Sequence, residues 1–135
     1  MRNRLTTALL LLLFIVSGCS QHVTLDPTRG ELTTPVCTGD LYDVEMEHRT
    51  ALRGFRGDCK AWTYMMQDRL DMACTAPVLG TSRGQPHMVL GIWHEDGFFL
   101  SDVNYGGIVH ANHIDYRLDA ILVDGRWVKA EIVVR

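Results

Sequence analysis

Three side chains of this sequence could together break an amide bond: Cys59, His87 and Asp102. A thiol is a strong nucleophile only when ionised. An imidazole can take its proton and return it to a leaving group, and a carboxylate can hold that imidazole by its second ring nitrogen. Each of the three stands where the sequence pattern puts an element boundary. After Asp58-Cys59, the residues Trp62, Met65, Met66, Arg69, Leu70 and Ala73 recur at helical spacing and are mostly apolar. That pattern predicts a helix buried along one face, with Asp58 as its N-cap and Cys59 in its first turn. A helix N-terminus favours negative charge, so it favours a thiolate, and the backbone N–H of Cys59 is free there to face an oxyanion.

His87 follows Gln85-Pro86 and opens the apolar run Met88–Trp93. If Val89 and Gly91 share its face of a strand, His87 points from the sheet toward the helix end that carries Cys59. Its role would be general base for the thiol and acid for the leaving group. Asp102 ends the next apolar run, Phe98–Asp102, and Glu95-Asp96-Gly97 between the runs is a hairpin signal. His87 and Asp102 would then face each other across an antiparallel pair, with Asn104 a second candidate for the polar role.

The elements that must position these groups follow an α+β order. Residues 41–54 read as a first helix and the Cys59 segment as a second. Strands follow at 88–93, 98–102, 120–123 and 127–134, with a second Asp-Gly turn at Asp124-Gly125. The expected architecture is two N-terminal helices packed on an antiparallel β-meander.

Length and composition agree with one modest domain: 135 residues, 47% hydrophobic and 21% charged, with net charge -3. Those values exclude a disordered chain, a coiled coil and a collagen-like repeat, and the charge gives no footprint for nucleic acid. Residues 1–18 are expected to be a cleaved signal peptide: Arg2 and Arg4, then the apolar run Ala8–Val16, then Ser17-Gly18. The apolar run falls short of the roughly 20 residues a membrane-spanning helix needs. Val16-Ser17-Gly18-Cys19 resembles the bacterial lipobox. The resemblance implies lipid on Cys19, cleavage before it and a membrane anchor on the periplasmic side. Ser20, where an aspartate would signal inner-membrane retention, implies the outer membrane in a Gram-negative host. Residues 19–36, which contain Ser, Gln, Thr, Pro and Gly and few large apolar groups, read as a tether, and 37–135 as the domain.

With Cys19 lipidated, Cys37, Cys59 and Cys74 remain, an odd number in a compartment that permits disulfides. Sequence does not fix the pairing. Cys37 with Cys74 is the expectation, because it leaves Cys59 as a free thiol.

Gly57-Asp58-Cys59 before a helix, His87-Met88-Val89-Leu90 at the head of a strand, and Asp102 on the next strand resemble the bacterial transglutaminase-like cysteine peptidases. The resemblance covers roughly residues 40–130. It implies a papain-like core, a Cys59–His87–Asp102 triad, an acyl-enzyme, and protein or peptide amides of the cell envelope as substrates. Lys60-Ala61-Trp62 replaces the acidic residues that usually follow the cysteine, and Val103 separates Asp102 from Asn104. Adhesin-processing members carry an acidic calcium site with no counterpart here, so no cofactor is expected. A monomer is expected. NlpC-type cell-wall peptidases resemble the chain in His87–Ile92 and the hairpin after it, but their usual nucleophile motif, Asp-Cys-Ser-Gly, is absent. A lipoprotein that kept this fold as a binding module is the non-enzymatic alternative. His48, His94, His110 and His113 read as surface histidines rather than zinc ligands. Trp62, Trp93 and Trp127 read as core.

Overall fold

Helix propensity and capping decide the first half of the domain. In the computed structural model, which describes residues 22–24, 31–33, 35–129 and 131–133, helix α1 spans Tyr42–Gly54 and helix α2 spans Cys59–Leu70. The Asp40 carboxylate accepts from the Tyr42 N–H at 2.7 Å, beside the start of α1. Val44, His48 and Ala51 form the buried stripe of that helix. Asp58 caps α2 by accepting from the Ala61 N–H at 2.8 Å, as expected of an N-cap aspartate. Asp71 stops α2 in the left-handed region, its N–H donating to the Gln67 carbonyl at 2.9 Å.

The strands are β1 His22–Thr24, β2 Glu31–Thr33, β3 Thr75–Ser82, β4 Gln85–His94, β5 Gly97–Ser101, β6 Val109–His110, β7 Tyr116–Val123, β8 Arg126–Lys129 and β9 Glu131–Val133. Six of them form one antiparallel sheet in the order β6-β5-β4-β3-β7-β8, and β2-β1-β9 form a small second sheet. The α+β class is therefore as expected, but the topology is more than a meander. After β6 the chain passes from one side of the sheet to the other, through a short 3-10 turn at Ala111–His113, and β7 pairs with β3. The segment read as tether contributes β1 and β2. The single strand expected at 127–134 is divided between the two sheets as β8 and β9.

Each face of the large sheet has its own cover, because successive side chains of β4 alternate between faces. Leu90 packs with Trp62 and Met66 of α2 and Ala51 of α1, and Ile92 with Val44 and Cys74. Val89 and Trp93 point the other way, into a cluster with Val78, Phe98, Leu100 and Ile121 that Ala111, Ile114 and Tyr116 help to cover. Trp62 and Trp93 are fully buried as expected, whereas Trp127 on the edge strand β8 is 40% exposed. An edge strand has neighbours on one side only, which is why the third tryptophan is not core.

Cys37 and Cys74 form a disulfide and Cys59 is a free thiol, as expected. The helix explains why Cys59 cannot pair with Cys74: they lie at opposite ends of α2, which at about 1.5 Å per residue holds them well beyond disulfide reach.

Candidate active site

Cys59 is the first residue of α2 and its side chain is half-buried. The Thr63 hydroxyl donates to the Cys59 carbonyl at 2.8 Å, one turn along the helix. The Cys59 N–H, in the first turn, has no intrahelical acceptor. No acidic side chain lies in that turn, and Lys60 follows the thiol. Gly57 has φ of +151°, and a Cβ there would sit 2.9 Å from the Phe55 ring. The glycine therefore lets the chain turn into the helix against Phe55.

His87 and Asp102 meet. His87 Nε2 donates to Asp102 Oδ1 at 2.8 Å, with His87 9% exposed and Asp102 1%. The carboxylate can only accept, so Nε2 carries the hydrogen and Nδ1 is the ring nitrogen left for a reaction. The same Oδ1 accepts from the Asn104 N–H at 3.0 Å, and the Asp102 carbonyl accepts from the Tyr105 N–H at 3.1 Å. Asn104 thus serves the site through its backbone. Asp102 lies one residue past β5, which ends at Ser101 opposite Leu90. The β4 residues before Val89 have no β5 partner, and the turn after β5 brings Asp102 into that opening.

His87 does share a face with Val89 and Gly91, but that face belongs to the Val89–Trp93 cluster and not to the helices. Strand alternation, with no bulge along β4, sets this. Trp62 of α2 packs on Leu90, while Met72 and Cys74, which follow α2, pack with Ile92, so α2 begins on the His87 side of the strand. Cys59, in the first turn of α2, is therefore on that side of the helix. Among the described residues no thiol–imidazole hydrogen bond is formed; such bonds are often long before substrate binds.

Tyr116 is a part of the site that its sequence context did not reveal. Its hydroxyl donates to the His87 carbonyl at 2.9 Å, and its ring meets the imidazole edge-on at 6.4 Å between centroids. Burial pushes the phenol far above its ordinary pKa, and the charges of Asp102, Asp119 and Cys59 add to the shift, so it remains a donor. The Tyr116 ring lies over Gly80, where a Cβ would meet the ring at 2.7 Å and the Arg117 carbonyl still closer. Only glycine opposite His87 in β3 leaves room for that ring.

His48 and His94 are buried, against the expectation of surface histidines. His94 lies with Glu95 and Asp96 at ligand spacing, but its ring nitrogens are already engaged by the Gly39 carbonyl at 2.7 Å and the Asp96 N–H at 3.1 Å. His48 is held between Ser101 and Tyr105, and burial lowers its pKa below the ordinary value. A histidine kept neutral in the fold contributes stability that is present above its unfolded pKa, about 6.5, and is lost as pH falls toward the folded value. The urea midpoint of the protein is therefore expected to fall more steeply from pH 7 to pH 5 than that of His48→Gln. Parallel curves would show that His48 does not carry the acid sensitivity.

Cys19 and the expected signal segment lie outside the described residues, among which no helix is long and apolar enough to cross a membrane. No family model matches the chain, and no curated protein or solved structure is significantly similar to it.

Proposed function

We propose that this chain is a thiol hydrolase of the transglutaminase-like type, with a papain-like core, acting on protein or peptide amides in the cell envelope. The observation that supports the reading is the buried His87–Asp102 pair, with Nδ1 unspent, in a chain whose free thiol stands in the first turn of α2. Cys59 Sγ attacks the carbonyl carbon and its proton passes to His87 Nδ1. Asp102 steadies the imidazolium, and the Cys59 N–H faces the oxyanion. His87 returns the proton to the leaving amine as the C–N bond breaks, leaving a thioester on Cys59. Water then attacks that thioester, giving its proton to His87, and the thiol is regenerated. Lipid on Cys19 would tether the domain to the periplasmic side of a membrane, and no metal or cofactor enters these steps.

A binding-module reading has one observation in its favour, the missing thiol–imidazole hydrogen bond. The two readings separate on acylation. The full chain is mixed with a panel of N-acetyl amino-acid p-nitrophenyl esters, and the adduct is located by peptide mass. The expected result is a burst of one p-nitrophenolate per chain with the acyl group on Cys59, absent in Cys59→Ala. Acylation no faster than that of free cysteine would overturn the hydrolase reading.

A further inference from the structure

A chain of buried polar groups runs from the helices to the turn that carries Asp102, and the chemistry above does not use it. Trp62 Nε1 donates to Ser101 Oγ at 3.3 Å. Ser101 Oγ lies 2.8 Å from His48 Nδ1, and His48 Nε2 lies 2.8 Å from the Tyr105 carbonyl oxygen. A carbonyl only accepts, so Nε2 carries the hydrogen. In the neutral ring Nδ1 is then an acceptor, and the Ser101 hydroxyl donates to it while accepting from Trp62. One arrangement of hydrogens satisfies every group. His48, Trp62 and Ser101 are each fully buried, where an unmade bond is costly.

The ends of this chain bracket Asp102. Ser101 precedes it, and Tyr105 closes the turn after it through the bond from its N–H to the Asp102 carbonyl. Nearly one turn before His48 on the same helix, Glu45 Oε2 accepts from the Ile108 N–H at 2.8 Å, so α1 holds the loop at two points. Gly107 lies against that carboxylate, where a Cβ would not fit.

We infer that His48 and Ser101 are positioning residues: from α1 they clamp the Asp102–Tyr105 turn, and so hold the Asp102 carboxylate against His87. The purpose of the clamp rests on the hydrolase reading, but its geometry does not. The charged groups around His48 are Glu45 and Arg49 on its own helix and Asp102 beyond β5, while α2 and β5 offer the uncharged Trp62 and Ser101. Protonating His48 would put a donor at Nδ1, and the Ser101 hydroxyl would have to turn its hydrogen away and accept from both His48 and Trp62.

The test uses the full chain and two readouts in the same samples. The first is hydrogen exchange of the His87 Nε2–H by NMR, compared with exchange of the Leu90 amide in the core. Ser101→Ala, which removes one oxygen from a buried site, is expected to speed His87 exchange about tenfold and leave Leu90 within twofold. His48→Ala should do the same, and His48→Gln, which keeps an N–H for the Tyr105 carbonyl, should recover most of the protection. Unchanged His87 exchange in Ser101→Ala, or His87 and Leu90 speeding together, would overturn the clamp, since general loosening moves both. The second readout is acylation of Cys59 by the activated esters. Its failure in the unsubstituted protein would sink the hydrolase reading while the exchange ratio still decided the clamp.

Discussion

Replacing His87 with alanine is expected to slow acylation of Cys59 by about 10^2–10^4-fold, the range over which a positioned acid–base group contributes. The loss should appear in the acylation rate rather than in ester binding, because in the proposed reaction the imidazole acts on the proton of the thiol. Asp102 divides the effect further. Asp102→Ala leaves the His87 Nε2–H without its acceptor in a nearly dry site, and removes the acceptor of the Asn104 N–H as well. Its loss should approach that of His87→Ala and be accompanied by about 1–3 kcal/mol of destabilisation for the unsatisfied groups. Asp102→Asn keeps an oxygen that can accept from both N–H groups and gives up only the charge, so its loss should be much smaller. The measurement is the burst rate at saturating ester, with the melting temperature of each variant recorded beside it. Acylation by folded His87→Ala within threefold of the parent would remove the imidazole from the mechanism.

Removing the Cys37–Cys74 disulfide should cost about 4 kcal/mol, because it closes a loop spanning 37 positions and that loop entropy returns to the unfolded chain. For a domain near this size the melting temperature should drop by about 15 °C. The native contacts of Cys37 add to the effect. Its N–H donates to the Trp93 carbonyl at 2.8 Å and its carbonyl accepts from the Glu95 N–H at 3.0 Å, so the bridge also secures the far end of β4. The double variant Cys37→Ser/Cys74→Ala is the cleaner probe, since a single change leaves a second free thiol beside Cys59. Chemical unfolding should show the loss at unchanged cooperativity. A change below about 1 kcal/mol would mean that the native contacts around Cys37 and Cys74 hold without the bridge.

Local signals told the sequence reading a good deal. Asp58 marked the start of α2 because a short carboxylate can satisfy a first-turn N–H without help from elsewhere in the fold. Asp124-Gly125 marked a hairpin because both residues adopt positive φ, which those residue types tolerate. β3 was missed. Within it Pro77 lies before Val78, where pairing with β7 begins, and Gly80 sits beside a register shift. Their roles depend on neighbours far along the chain. His48 was read as a surface residue because a lone histidine between charged residues carries no periodic signal. Its burial comes from Trp62 and Ser101, supplied by two other elements.

By itself, then, the sequence determined the helix that begins at Cys59 and the hairpin whose two strands lead from His87 to the turn that carries Asp102. Capping and turn conformation are local properties, and residue types and spacing carry them. Tertiary structure alone decided the face on which His87 stands, the pairing of Cys37 with Cys74, the placing of Tyr116 over Gly80, and the holding of the Asp102 turn from α1. Each of these depends on which distant element fills the space beside a given side chain. Strand alternation and packing settle that only once β7 has crossed to pair with β3 and the two helices have covered the opposite face of the sheet.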